Sequence, residues 1–427
     1  MRWLYTALFY LLVPAIVLRL WWRSRRAPAY RRRIGERFGW FGEACGVAVP
    51  GQGDGIWVHA VSVGETIAAA PMIRRLQERY PSARIVVTTM TPTGSERVRA
   101  LFGDSVDHVY APYDVPDCIV RFLNRTRPQL AIIVETELWP NTIHACAVHG
   151  IPLLVANARL SARSARGYRR LRALAGPMMA ELTRVVAQNA ADGERFVELG
   201  LPRERLRVSG SNKFDLALEP ELQERAVAIR AGWGAERLVW IAASTHEGEE
   251  SIALEAHRRL RARHPDALLV LVPRHPERFG PVAALVERMG LRCQRRSAGR
   301  ALEADTAVLL GDTMGELLCL YGCADIAFVG GSLIPRGGHN MLEPAAWGLP
   351  LITGPSDYNF REISALLQQA DALALVEDVG ERAAQLQALA ADPGQRSRCG
   401  AAARQVVDAN RGALDKLMAE IETLLPD

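Results

Sequence analysis

Twelve short apolar runs, spaced by stretches of helical character, constrain this chain more tightly than any other feature. Six fall at 56–61, 83–89, 108–112, 130–136, 151–157 and 184–189, and six more at 238–244, 267–273, 307–311, 325–331, 349–354 and 372–377. Such alternation builds βαβ units, and βαβ units build mostly parallel sheets with helices on both faces. A polar, Glu-rich helical stretch around 219–235 separates the two series, and 378–425 has the Ala, Leu and Gln content of further helices. The expected fold is α/β, with two doubly wound, Rossmann-like domains at 39–217 and 234–427 joined by a linker at 218–233. The terminal helices are free to pack back on the first domain. Domains of this kind take their ligands beyond the carboxyl ends of the strands, here in a cleft between the two halves.

Residues 1–38 differ in kind. From Trp3 to Leu18 no charge occurs, and the flanks are Arg2 on one side and Arg19, Trp21 and Trp22 on the other. A full span needs roughly 20 apolar residues, or about 17 at the short end, and arginines can snorkel while tryptophans sit at headgroup depth. The segment is expected to be a retained membrane anchor, either spanning or lying in the interface, with Pro14 as a candidate kink. A cleaved signal peptide is the alternative, but the positive charge mostly follows the apolar run and no A-x-A site comes after it. Residues 1–39 hold nine arginines and one acid, a net +8, so the rest of the chain carries −3 of the overall +5. The basic excess is a terminal collar rather than a nucleic-acid-binding body. The collar, Arg23–Arg37, is expected to meet anionic headgroups, and the positive-inside rule then puts the domains in the cytoplasm. Seven cysteines, an odd number without zinc spacing, read as reduced thiols.

The residues with chemical potential follow the apolar runs. Gly64–Glu65–Thr66 ends a strand and opens a helix, where Glu65 either serves as a base or simply complements the helix dipole. Glu135 and Glu137 stand two apart at a strand end, on one face if the strand continues; two acids there are costly to bury without a use, with capping as the alternative. Lys213 is one of only two lysines in a chain with 50 arginines, and a compact cation suits a developing negative charge. In the second half, Arg274 and His275 follow a strand, Met314–Gly315–Glu316 stands at a helix start, and a Gly-rich loop with Arg336 runs into a helix opening near His339–Asn340, with Glu343 in its first turns. Backbone amides of such a loop form an anion site, and an acid there can reach a ribose hydroxyl. No D-x-D pair, H-E-x-x-H or G-x-S-x-G is present. No metal site and no cofactor is expected, so Arg274, Lys213 and helix amides would neutralise a leaving phosphate.

Taken together, SVGE (62–65), ETELWPN (135–141), NARLSARS (157–164), SGSNKFD (209–215), PRHPERF (273–279), MGEL (314–317) and GGHNMLEPAAWG (337–348) resemble the 3-deoxy-D-manno-octulosonic acid (Kdo) transferases of lipopolysaccharide assembly. The likeness runs over nearly the whole chain. It implies a GT-B glycosyltransferase on the cytoplasmic face of the inner membrane, moving Kdo from CMP-Kdo to the 6′-hydroxyl of a lipid A precursor (lipid IVA), inverting and metal-independent. The number of Kdo units added is left open. By resemblance Glu65 is the proton acceptor, and Glu135 and Lys213 stabilise the transition state. Pro273 and Arg274, Met314, Gly315 and Glu316, and Asn340, Met341, Leu342 and Glu343 would bind CMP. Asn212 departs from the apolar residue expected before the lysine. The alternative reading is another membrane-associated GT-B enzyme using a UDP-sugar, and a tethered anion-binding scaffold without turnover is a third.

Overall fold

The computed structural model describes residues 1–25, 27–42, 55–377 and 379–425. Arg26 of the collar and most of the Gly-rich stretch before the first strand lie outside the described residues. Two compact units emerge, Met1–Lys213 with Gly412–Asp427, and Phe214–Arg411.

The first unit is built on β1 (Gly55–His59), β2 (Arg84–Thr89), β3 (Asp107–Tyr110), β4 (Pro128–Val134), β5 (Leu153–Ala158), β6 (Arg184–Ala187) and β7 (Leu206–Val208). Every pairing is parallel and the order is β3-β2-β1-β4-β5-β6-β7. The direction of winding reverses between β1 and β4. Successive residues of a strand face opposite sides: Trp57 joins one core with Phe122 and Ile133, while Ile56 and Val58 join the other with Met72, Ile73 and Leu76. The second core is completed by the helix Ala413–Glu422, whose Leu417 and Ile421 are fully buried. Its Glu420 pairs with Arg184 and Arg207, both at 3.2 Å.

The second unit repeats the plan with β8 (Val239–Thr245), β9 (Leu268–Pro273), β10 (Cys293–Arg295), β11 (Val308–Leu310), β12 (Ile326–Val329), β13 (Leu351–Thr353) and β14 (Leu373–Leu375). The order is β10-β11-β9-β8-β12-β13-β14, again parallel, reversing between β8 and β12. The stretch 218–233, read from the sequence as a linker, contains the helix Pro220–Ala231, and Ala226 and Trp233 belong to this unit's core.

The helix Arg2–Arg23 is continuous through Pro14 and is long and apolar enough to cross a membrane. It also docks on the first unit. Phe9, Val13, Ile16, Val17 and Leu20 pack with Phe38 against Tyr113, Val115 and Cys118. Thr6 donates to Asn141 at 2.9 Å and Tyr10 to Asp117 at 2.5 Å. The opposite face, including Trp3, Leu8, Leu11, Leu18 and Trp22, is exposed.

The collar divides, which corrects the expectation that Arg23–Arg37 faces headgroups as a block. Arg33 donates to the carbonyl of His108 at 2.7 Å, and Arg37 is buried, donating to the carbonyl of Met90 at 2.9 Å. Both guanidinium groups lie over the Tyr110 ring, 5.0 and 4.4 Å from its centroid, and Glu36 accepts from the Tyr110 amide at 2.8 Å. A guanidinium that finds carbonyls and an aromatic face is held better inside the fold than against lipid. Leu417→Ala should destabilise the first unit by about 2–5 kcal/mol through transfer and cavity terms. A urea titration followed by circular dichroism checks this, with a lowered midpoint expected.

Candidate functional site

In a doubly wound sheet the crevice opens where the strand order reverses, at the carboxyl ends. In the first unit that point lies between β1 and β4, and these two strands deliver the acids. The chain leaves β1 into the helix Val63–Arg79, capped by Ser62, whose hydroxyl accepts from the Glu65 amide at 3.4 Å. The Glu65 carboxylate turns back, accepting from the Val61 amide at 2.7 Å and the Ser62 hydroxyl at 2.9 Å. This is the reciprocal logic of a capping box, with the acid reaching one residue further back. Burial pushes the Glu65 carboxyl up to about 7, against those two hydrogen bonds, and the like charges of Glu135 and Glu137 add to the rise.

After β4 the expectation of a continuing strand fails. β4 ends at Val134, and Glu135 takes φ 64°, the left-handed region. That turn costs on the order of 1–3 kcal/mol and removes the simple alternation that would have put Glu135 and Glu137 on one face. The Glu135 amide is tied to the carbonyl of Ala156 at 2.9 Å. Glu137 accepts from the Trp139 indole at 3.1 Å, and burial raises its pKa, with Glu135 adding like charge. Three carboxylates, one from a helix start and two from a loop, thus share one region of the first unit.

Lys213 stands in the short turn Asn212–Phe214, where its amide donates to the Ser211 hydroxyl at 3.4 Å. Asn212 is buried, and its amide donates to the Asn157 side chain at 3.3 Å. The polar residue at 212 is therefore held by the NARLSARS segment. Beside the loop after β4 lies an apolar pocket of about 300 Å³, lined by Tyr5, Trp139, Tyr168, Leu174 and Met178 among others. The neighbouring helix Ala162–Arg170 presents Arg163, Arg166 and Arg170 around a second hollow.

In the second unit Pro273 ends β9, and Arg274 is exposed, its amide donating to the Thr245 carbonyl at 2.9 Å. Met314 is exposed, and Gly315 has φ 82°. Glu316 is already engaged by Thr313 at 2.6 Å, Arg296 at 3.2 Å and Arg225. Burial alone would raise its pKa, but these partners outweigh it and the net direction is down. The Gly-rich loop runs into a helix of only five residues, Leu342–Ala346, which begins after the expected His339–Asn340. Met341 and Leu342 are core side chains, so only their backbones face outward chemistry. Asn340 donates to Glu343 at 3.1 Å, and burial raises the Glu343 pKa against that bond and the nearby Arg274.

Sequence reasoning missed Glu249. It is fully buried and accepts four backbone amides, from His246 (3.0 Å), Gly331 (2.7 Å), Ser332 (3.1 Å) and Leu333 (3.0 Å). One carboxylate thereby joins the loop after β8 to the loop after β12. The signal was available: HEGEE follows β8 much as SVGET follows β1.

Two parallel seven-stranded sheets, each with helices on both faces, define the class of fold as GT-B. A glycosyltransferase from Rickettsia africae has this fold, 14% identical with a TM-score of 0.54 over 87% of this chain and 98% of that chain. A UDP-GlcNAc 2-epimerase from Neisseria meningitidis shares it too, at 13% identity and a TM-score of 0.58 over 86% and 99%. The family model for 3-deoxy-D-manno-octulosonic-acid transferase matches residues 32–216. A Haemophilus influenzae 3-deoxy-D-manno-octulosonic acid transferase is 46% identical over 98% of this chain and 97% of its own length. A Bordetella pertussis enzyme of the same name is 37% identical over 99% of both. The chain belongs to the Kdo transferase family, glycosyltransferases of lipopolysaccharide biosynthesis.

A carboxyl held near 7 in the fold and near 4.5 when unfolded favours the folded state only while protonated, so its stabilising contribution is lost as pH rises from about 4.5 through about 7. Glu65→Gln should therefore melt above the unaltered protein at about pH 8 and level with it at about pH 4.5. Differential scanning fluorimetry across that range reads the crossover.

Proposed function

We propose that this enzyme moves Kdo from CMP-Kdo to the 6′-hydroxyl of a lipid A precursor, inverting the anomeric centre and using no metal. The observation that carries the mechanism is Glu65: a partly buried carboxyl, raised to about 7, at the carboxyl edge of the sheet. A base with a pKa near the working pH is suited to taking the acceptor's proton as the new bond forms. Glu135 and Lys213 stabilise the charge that develops as CMP leaves. A CMP-sugar has one phosphate and Kdo a carboxylate, so cations such as Arg274 serve where a diphosphate would call for a metal clamp. Pro273 and Arg274, Met314 to Glu316 and Asn340 to Glu343 form the CMP site. Within it, Met341 and Leu342 act through their backbones, and Glu343 reaches for the ribose.

The acceptor is an acylated, anionic glycolipid, and two features of the first unit support it. The apolar pocket at Tyr5, Trp139 and Met178 suits a chain, and Arg163, Arg166 and Arg170 suit a phosphate. The helix Arg2–Arg23 lies in the membrane interface with the domains on the cytoplasmic side of the inner membrane. Its docked face runs from Thr6 to Leu20, which leaves one apolar face for lipid rather than a free cylinder for a span.

Purified protein given CMP-Kdo and a tetraacylated acceptor should yield a Kdo adduct by mass spectrometry, undiminished in excess EDTA. An assignable Mg²⁺ requirement would count against the chemistry. Glu65→Gln should lower turnover by about 10²–10⁴. Because the base must be unprotonated, log kcat/KM should rise with unit slope below about pH 7 and level off above it. Near-normal turnover in the variant would remove Glu65 from its role. For the helix, Trp3→Cys and Trp22→Cys should both react with an impermeant maleimide from the same side of sealed vesicles. Labelling from opposite sides would mean a span.

A further inference from the structure

At the reversal point of the second sheet, three histidines from three loops meet. His246 follows β8, His275 follows β9 and His339 belongs to the loop after β12. The rings of His246 and His339 are nearly parallel, at 9°, with centroids 5.1 Å apart and Nε2 atoms 2.8 Å apart. The His275 ring stands edge-on to His246 at 5.4 Å. The contact is built. Gly331, at φ 69°, lies so close that a Cβ there would come within 2.7 Å of the His339 ring, and Glu249 fixes the amides of both His246 and Gly331.

A 2.8 Å nitrogen–nitrogen contact requires one ring to donate and the other to accept. The pair can take one further proton, on the free Nδ1 of the donating ring, and keep this bond. A second would set two N–H groups against each other. Tetrahedral zinc ligands at about 2.0–2.1 Å would stand about 3.3 Å or more apart, so this spacing is that of a shared proton rather than a metal. The surroundings disfavour a charge on either ring. Burial, then Arg274, His246 and His275, lower His339 to about 4. His246 is also lowered, first by burial, with His275, Arg336 and Arg274 opposing the acid Glu249.

We propose that the His246–His339 pair is a proton-uptake element of the donor site, taking one proton from solvent as an anionic CMP moiety enters beside Arg274. This rests on the CMP reading of the second unit. An entering phosphate reverses the local field: the same arginines become partners of the anion, and an imidazolium becomes a further donor to it. The histidines thereby make affinity for the donor depend on pH, and they join the loops after β8 and β12 around it. His275, at the edge of the pair, modulates it without sharing its proton.

The probe is CMP, titrated calorimetrically into the full-length protein at about pH 7 in buffers of differing ionisation enthalpy. Protonation of CMP itself is common to all variants, so the reading is the difference between them. The unaltered protein should take up about one proton more than His246→Gln or His339→Gln. Its CMP affinity should also fall between about pH 6 and about pH 8 by about tenfold more than theirs. Binding with equal uptake and equal pH dependence in all three proteins overturns the inference while leaving the CMP site standing. Absence of any CMP binding to the unaltered protein overturns the CMP reading and this inference with it. Should His339→Gln fail to fold, His246→Gln breaks the same contact and gives the same comparison.

Discussion

Parallel pairing is the constraint from which the rest follows. Strands that run the same way end on the same edge, so every loop leaving β1 to β7, or β8 to β14, begins on one side of its sheet. Reversal of the winding between β1 and β4, and again between β8 and β12, separates the covering helices at one place on that edge. Glu65 and Glu135 issue from the strands that flank the first reversal. His246 and the Gly-rich loop issue from those that flank the second. The candidate site residues sit where backbone topology leaves room.

Comparison of Glu65 with Glu249 shows how the same position in two sheets is put to different ends. Each lies in the first turn of the helix that follows the unit's first strand. Glu249 is fully buried and saturated by four amides from two loops, which makes it a structural clamp. Glu65 has one amide and one hydroxyl, stays partly exposed, and stands near two other carboxylates. Hydrogen bonds to an ionised carboxylate favour it, whereas desolvation and like charge disfavour it. The difference in partners therefore separates a carboxylate spent on holding two loops together from one whose carboxyl is raised to about 7.

Most of the scaffold was legible because buried parallel strands are continuous apolar runs: all twelve appear as strands. The two strands that escaped notice, β7 and β10, are three-residue edge strands carrying Arg207 and Arg295, with too little buried surface to leave a pattern. The site was legible in part. Glu65 could be found from its place between strand and helix, but the turn at Glu135 depends on a backbone dihedral that no hydrophobic period encodes. The helix at 220–231 looked like a linker because its outer face is polar, while Ala226 and the nearby Trp233 make its contacts with the core. The meeting of His246 with His339 joins residues far apart in the chain, and only folding brings them together.

The return of Ala413–Glu422 to the first unit bears on how the molecule is made. Met72, Ile73 and Leu76 wait for Leu417 and Ile421 to cover them, and all of Phe214–Arg411 must leave the ribosome before those residues arrive. During translation the first unit therefore carries an uncovered oily face. Phe214–Arg411 is one uninterrupted stretch, but the first unit is not, and any split-gene or truncation strategy for it has to supply the closing helix in trans.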